Sequence, residues 1–550
     1  MTMKISRTPL TPLAAAAALL LAACTVGPDY HRPQVSVPAT YRELPGWTEA
    51  EPAADGPKGA WWTGFNDPLL DELEPQVAVS NQTVRQDYAN YQEALAEVKI
   101  ARASLFPTIG VTGSATRARS ATGTSSAARS LGNIQTVNNS GSLEGNVSWA
   151  PDLWGSVRRT IEQNAATAQA SEATLANATL SEQIALATAV IELRTSDANI
   201  DLLQNTVKAY QHYLDVVANQ DKYGTIAPSD VVTARTQLET AQSSLIALGV
   251  ARAQYAHAIA VLVGKNPEDL DIPHSTAMPT LPLIPVGVPS TLLQRRPDIS
   301  TAERQMAAEN AAIGVAIAAY YPTVSISALD GFTQSPLGGL LHVANYVWSL
   351  GGSATETIFD GGERSGQVAA ARAAYDAALA NYRGTVLTAF QDVENDLSGL
   401  RILAEQANAL DAAVRDATHG TEIAFNEYQA GTVDYTTVAT AQATQLSNQQ
   451  TALNVQESRL LDAASLIGDL GGGWSDSELH DPRNPDKQPA ASAAAGASAA
   501  AGASAAAGAS AAAGASAAAG ASAAAAASAP SAPAAQSSSA GGQGTQASVQ

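Results

Sequence analysis

Between Ser156 and Lys222 the sequence runs without a proline. Proline inside a helix removes a hydrogen bond and clashes with the preceding turn, so this stretch is free to form one unbroken helix. At about 1.5 Å per residue it would extend roughly 100 Å. Leu186, Leu193, Ile200, Val207 and Leu214 recur along it every seven residues. Leu379, Val386, Val393, Leu400, Ala407 and Val414 form a second ladder, and the two superpose at an offset of 207 residues. A strict seven-residue repeat implies coiled-coil packing with a left-handed supercoil. Ordinary amphipathic packing would explain one such ladder; two matched ladders of this length argue against it.

The rest of the chain follows the same duplication. Phe106-Pro107-Thr108 matches Tyr321-Pro322-Thr323, and Leu153-Trp154-Gly155 with Arg158 matches Phe359-Asp360-Gly361 with Arg364. Tyr223-Gly224-Thr225 approximates Tyr428 followed by Gly431-Thr432, and Val263-Gly264 matches Leu470-Gly471. Gly224 and Gly431 end the long helices as left-handed caps do. Ser229 and Asp230, after Pro228, offer N-cap side chains. Val231–Val263 and Val433–Leu470 then read as returning helices. Each half is expected to run strand, loop, strand, very long helix, turn, long helix.

Strands are predicted from Thr108 to Thr116, from Leu143 to Trp149, from Thr323 onward, and from Trp348 to Ile358, with Arg117–Ser142 and Gly331–Asn345 as loops. Ile109, Val111 and Ala115 alternate with Thr108, Thr112, Ser114 and Thr116; Trp348, Leu350, Ala354 and Ile358 alternate with Ser349, Ser353, Thr355 and Thr357. A period of two with one apolar and one small polar face fits a barrel wall between lipid and a watery lumen, and taken alone fits a soluble half-buried sheet equally well. Four strands are too few for a membrane barrel, whose smallest form has about eight. A spanning chain must therefore oligomerise, two copies supplying eight strands and three supplying twelve.

Composition narrows the function. The net charge of -21 disfavours nucleic acid as a partner, because phosphate binding needs a basic surface. Hydrophobic content is 45% while aromatic content is only 5%, and alanine accounts for the difference, which favours close-packed helices. The one cysteine, Cys24, follows Lys4, Arg7 and the short apolar run Leu13–Ala23, so a secretory signal over residues 1–23 is expected, with Cys24 where a lipoprotein signal peptidase cuts. Acyl chains on Cys24 would anchor the chain at about 0.8 kcal/mol per buried methylene. From about Ala490 the unit Ala-Ser-Ala-Ala-Ala-Gly repeats with nothing large to bury, so this tail reads as disordered.

Val288-Pro289-Ser290-Thr291-Leu292-Leu293-Gln294-Arg295-Arg296-Pro297-Asp298-Ile299 between the halves, Cys24-Thr25-Val26-Gly27-Pro28-Asp29-Tyr30-His31-Arg32-Pro33, and Asp152-Leu153-Trp154-Gly155 carry a family resemblance. Over roughly Cys24 to Trp474 the chain resembles the TolC-like outer-membrane efflux factors, of the NodT/OprM lipoprotein type. That resemblance implies a mainly α protein with membrane β: a trimeric TolC-like α/β-barrel with four strands per protomer in a shared twelve-stranded barrel, above a long periplasmic coiled-coil tunnel. It implies residues 1–23 as signal, 24–66 as a lipid-anchored collar segment, 67–264 and 298–474 as the two repeats, 265–297 as a Pro-rich link, and 475–550 as collar exit and tail. Thr25 after the cysteine implies outer-membrane sorting, with diacylglycerol and an N-acyl chain on Cys24 and no other cofactor. The implied function is that of a passive exit channel of a tripartite efflux pump of the RND type in a Gram-negative bacterium. Its partners would be a periplasmic adaptor, an inner-membrane pump and outer-membrane lipid, and its cargo drugs or other small toxic molecules. The alternatives are the outer-membrane duct of a type I-like peptide or protein secretion system and a non-channel coiled-coil adaptor.

The resemblance also places a site. Relatives narrow the tunnel with rings of carboxylates on the helix that follows the second tip turn, Tyr428–Thr432; here those positions hold Thr436, Thr437 and Thr440, with Asp434 the nearest carboxylate. An aspartate at a helix start is also explained by the helix dipole alone. Tyr223, Gly224, Thr225, Tyr428, Gly431 and Thr432 are the implied adaptor contacts at the tip. Arg295 and Arg296 are expected to pair with carboxylates or cap a turn. Catalysis has no sequence support: the seven histidines form no His-x-x-x-His pair, no nucleophile elbow is present, and Gly264-Lys265 lacks the rest of a phosphate loop.

Overall fold

The computed structural model describes residues 25–38, 40–43, 60–119, 137–284, 289, 292–335 and 338–483. The expected signal, Cys24 and the Ala/Ser/Gly tail lie outside these residues. The described elements are α1 (Pro68–Ser80), α2 (Gln82–Ala103), β1 (Thr108–Arg119), β2 (Val137–Trp149), α3 (Ser156–Lys222), α4 (Pro228–Leu262), α5 (Leu292–Arg295), α6 (Pro297–Ala318), β3 (Thr323–Gln334), β4 (Tyr346–Thr355), α7 (Glu363–Gln429) and α8 (Tyr435–Asp469).

The duplication is literal in length. The long helices α3 and α7 each have 67 residues, the returning helices α4 and α8 each have 35, and α2 and α6 each have 22. The reading of Ser156–Lys222 as one unbroken, proline-free helix matches α3 to the residue. The periodicity missed α2 and α6, which precede the strands and carry no seven-residue ladder. Strand ends also differ: β1 continues to Arg119, β2 begins at Val137, β3 reaches Gln334, and β4 stops at Thr355, so Ile358 lies in the turn rather than in the strand. Helix α4 starts one residue before Ser229, capped by Ala227 with Pro228 at its first position; Ser229 and Asp230 make no N-cap bond.

Two short helices meet end to end in each half. Asn81 caps α2 by accepting from Thr83 N (2.8 Å) and Val84 N (3.2 Å), while its Nδ2 donates to Leu262 O (3.0 Å) at the end of α4. One buried amide thus satisfies a free helix start and a free helix end. Gly264 turns α4 off at φ +71, and a Cβ there would sit 2.2 Å from Ser80 O. Gly471 repeats the joint at φ +96, with Arg295 O 2.2 Å from its virtual Cβ. The α4–α2 rod and the α8–α6 rod flank α3 on either side, and α7 packs along the second rod.

The ladders lie where this wall is thickest. Leu186, Leu193, Val386, Val393 and Leu400 are buried, while Ile200, Val207, Leu214, Ala407 and Val414, closer to the tip, are half-buried. A collar covers the wall at the level of the buried rungs. Asp67 before α1 receives Arg194 of α3 (Nε–Oδ2 2.9 Å). Asp197, fully buried, accepts from Arg252 Nε (2.6 Å) and Ser275 N (3.0 Å) and lies 2.9 Å from His274 Nδ1, which fixes the link between halves onto the α3–α4 hairpin.

The strands form one antiparallel sheet in the order β1-β2-β3-β4, so β2 and β3 join the two halves. Its polar face carries cross-strand hydroxyl pairs, Ser114 with Ser142 (2.9 Å) and Ser325 with Ser353 (2.7 Å). Its apolar face is bare: Ile109 is 78% exposed and Leu350 72%, with Val111 and Trp348 alongside. Among the described residues β1 and β4 are unpaired on their outer edges. A soluble sheet would cover such a face, so the half-buried soluble alternative fails on this observation.

Each long helix begins with the same device. Asp152 accepts from Val157 N (3.1 Å) and Arg158 N (2.9 Å) and pairs with Arg158 Nε (3.2 Å); Asp360 accepts from Gly362 N (2.9 Å) and pairs with Arg364 Nε (2.5 Å). The N-terminal segment is anchored at the first of these corners. Val26 N donates to Trp154 O (3.1 Å), and buried Arg159 donates to Val26 O (3.1 Å), Gly27 O (3.2 Å) and Asp29 (2.8 Å).

Candidate functional site: the helical tip

The end of the wall away from the sheet consists of two turns built alike. Gly224 (φ +69) and Gly431 (φ +74) take the left-handed conformation expected of them. Thr225 N donates to Gln220 O (3.1 Å) and its hydroxyl to the same oxygen (2.8 Å); Thr432 does this to Glu427 O (3.0 and 2.9 Å). One carbonyl at each helix end thus receives both the backbone and the side chain of a single threonine. Tyr223 stands out at 84% exposure. Tyr428 is not its counterpart. It is 6% exposed and points between the hairpins, so of the six tip candidates it alone is unavailable to an outside partner of the protomer.

Tyr428 belongs to a small core joining the hairpins. Val217, Ala234, Tyr428, Tyr435 and Val438 are buried together. The Tyr428 and Tyr435 rings meet edge to face at 5.6 Å, and Tyr213 meets Phe425 at 4.7 Å. Hydrogen bonds cross the same seam. Tyr428 Oη donates to Gln220 Oε1 (2.5 Å), Tyr435 Oη to Gln237 Oε1 (3.3 Å), and Gln237 Nε2 to Ala439 O (3.0 Å). Burial raises both tyrosines above the ordinary phenol range, so they remain neutral donors at any physiological pH. Gln220 and Gln237 carried no signal in the sequence: a glutamine on a long polar helix face looks like solvated surface.

The four aperture candidates converge. Asp434, Thr436, Thr437 and Thr440 line one shallow hollow of ≈ 680 Å³, floored by Ala417, Gly420, Ala424 and Ala441. Asp434 is the N-cap of α8: Oδ1 accepts from Thr437 N (3.2 Å) and Thr437 Oγ1 (3.0 Å). The dipole role is therefore realised, and the carboxylate remains exposed beside it. Thr440 and Thr444 donate back to Thr436 O and Thr440 O (2.9 Å each), which turns their oxygen lone pairs outward. The hollow is acceptor-lined, with one formal charge from Asp434.

The chain matches the family model described as "Outer membrane efflux protein" over residues 73–265 and 288–472. It is 29% identical over 463 residues to the probable efflux pump outer membrane protein TtgC of Pseudomonas putida, covering 84% of this chain and 95% of that one. It is 31% identical over 480 residues to the solvent efflux pump outer membrane protein SrpC of Pseudomonas putida, covering 84% and 98%. Among solved structures it is similar to the outer-membrane channel OprN (TM-score 0.75, 28% identity, 82% of this chain and 100% of that chain). It is likewise similar to the open state of the Neisseria gonorrhoeae MtrE outer membrane channel (TM-score 0.72, 26% identity, 82% and 99%). With its duplicated helical wall, four-stranded sheet and paired tip turns, the chain belongs to the outer membrane efflux protein family and has the fold of the TolC-like channels.

Proposed function

We propose that three copies of this chain close their sheets into one twelve-stranded barrel and that the trimer is the passive outer-membrane exit duct of an RND-type tripartite efflux pump. The observation that carries this is the sheet itself, with one bare apolar face, one hydroxyl-lined face and both outer edges open. Closing it requires other copies, and the apolar face then meets lipid. Cys24, lipidated, would anchor the chain, because Thr25 beside it packs against Gly155, where β2 gives way to α3. A periplasmic adaptor would grip the tip near Tyr223 and pass small toxic molecules from the inner-membrane pump; the relatives named for toluene, solvent and antibiotic efflux support that class of cargo.

Purified chain in planar bilayers is expected to conduct in discrete steps, and its deletion to sensitise cells to a panel of dyes, solvents and antibiotics. A protein that inserts in no bilayer and whose loss changes no sensitivity defeats the reading. At the aperture, a ring of three Asp434 carboxylates favours cations and the threonines add only dipoles. Divalent block is thus expected to be weak and to disappear in Asp434→Ala, which also loses about 1 kcal/mol of helix capping per protomer. Strong block that survives the substitution would remove Asp434 from the aperture.

A further inference from the structure

The duplication extends to the pairing of the strands. Thr108 faces Ser148 in the first hairpin, and Thr323 faces Thr355 in the second. Thr108 and Thr323 follow the matched Phe106-Pro107 and Tyr321-Pro322, while Ser148 and Thr355 are related by the same offset as the helical ladders. One register therefore serves both hairpins, and β1 corresponds to β3 as β2 does to β4. The two halves meet where β2 pairs with β3, with Ser148 on Ser327, Val147 on Ala328 and Asn146 on Leu329. The counterpart of that junction would join β4 to β1. Within one chain these strands are the two open edges of the sheet, so only another copy can supply it.

Carried across residue by residue, the junction sets Thr355 against Thr112 of the next copy, Ala354 against Gly113 and Ser353 against Ser114. A slip of one residue would turn every side chain to the wrong face. In this register Ala354 falls opposite Gly113, on the face of Ile109 and Val111, and Ser353 falls opposite Ser114 on the hydroxyl face. The hydroxyls agree independently of the repeat. Ser325 with Ser353 (2.7 Å) and Ser114 with Ser142 (2.9 Å) are separate pairs in one chain, and the junction places them end to end as one row across the seam. A hydroxyl donates one hydrogen and can accept two, so each inner serine can serve both neighbours. The corner below also agrees. Trp154, between β2 and α3, stacks on Tyr321 at 5.0 Å and donates from Nε1 to Pro322 O (2.8 Å) at the start of β3. Phe106-Pro107 holds that place at the start of β1, and Phe359 is the aromatic residue of the corner after β4. Both phenyl rings are exposed on the protomer.

We propose that β4 pairs antiparallel with β1 of the next copy in this register, Ser353 against Ser114, and that Phe359 packs on Phe106 of the next copy beneath the seam. Each open edge is thus occupied by the opposite edge of an identical chain. This pairing rests on the trimeric barrel proposed above, to which it adds a register and an aromatic latch. A slip of two residues would keep every side chain on its face and bring Thr112 or Thr116 opposite Ser353. It would also shift one strand along the other by about 7 Å, which parts Phe359 from Phe106 and breaks the match between the two junctions.

The test is oxidative cross-linking of the full-length chain in outer membranes. Residues directly opposite across a ladder have Cβ atoms about 4.5–5.5 Å apart, close to disulfide reach, and diagonal neighbours about 7–8 Å. Ser353→Cys with Ser114→Cys should give a reducible ladder of two and three chains, about tenfold or more faster than Ser353→Cys with Thr112→Cys or with Thr116→Cys. Because β1 and β4 are opposite edges of one chain's sheet, the bond forms only between copies. The unsubstituted chain, with Cys24 alone, is the blank. Faster bonding at Thr112 or Thr116 overturns the register while the barrel stands. No ladder from any pair, with a trimer still seen by native mass measurement, overturns the seam. A chain that stays monomeric overturns the barrel reading and the seam with it. Phe359→Ala and Phe106→Ala should each lower the temperature at which the trimer dissociates, and together by less than the sum of the two. Additive losses overturn the latch.

Discussion

Gly264→Ala and Gly471→Ala are each expected to destabilise the protein by more than about 3 kcal/mol, among the largest effects of any single substitution in this chain. Two costs add. An alanine in the left-handed region costs roughly 1–2 kcal/mol, and both glycines are there, at φ +71 and φ +96. The new methyl would also lie 2.2 Å from a backbone oxygen, Ser80 O in one half and Arg295 O in the other, so the rod must part at its splice. Gly224→Ala supplies the control. It is equally left-handed, at φ +69, but a Cβ there meets nothing within 4 Å, so only the conformational cost of roughly 1–2 kcal/mol remains. Thermal unfolding followed by helical circular dichroism measures all three. Equal losses at Gly224 and Gly264 would mean that end-to-end abutment contributes nothing to the rod.

The second large effect is functional. Tyr428→Phe combined with Gln237→Ala removes the three hydrogen bonds that cross between the hairpins at the tip. Each is worth about 1 kcal/mol net, so a protomer loses roughly 2–3 kcal/mol of closure, and a three-fold assembly multiplies that loss. An equilibrium that favours the closed tip would shift toward open by about a hundredfold or more. Single-channel recordings should show this as raised open occupancy with unchanged unit conductance, because the strands are untouched. Open occupancy identical to wild type would show that closure is maintained between protomers instead.

The elements that can be read from the sequence are those whose signal is periodic and local. The helices α3 and α7 announce themselves by seven-residue ladders and by the absence of proline, and the turns by their Gly-Thr pairs. The helices α2 and α6 have no such ladder, though Asn81 and Pro297 stand where a helix start would place them. The splices are invisible for another reason: Asn81 meets Leu262 across 181 positions of chain, and no local pattern encodes that. At the tip, Asp434 and the three threonines come together because the first two turns of one helix carry them. The tyrosine–glutamine seam escapes notice because each of its bonds joins helices from different halves. Tyr428 was matched to Tyr223 by residue type, although true register at 207 residues sets Tyr428 against Asp221.

That register has a further result. The long, returning and pre-strand helices have the same lengths in the two halves, so a ring of three chains presents six equivalent posts, yet each half carries its own codons. Where one post has Asp434 and Tyr435, the next has Ala227 and Pro228. Alternate posts can thus diverge in chemistry while keeping identical geometry, so a charge introduced in one half appears three times around the bore, never six. Selection can retune the narrow end through either half without disturbing the spacing that lets the posts stand side by side.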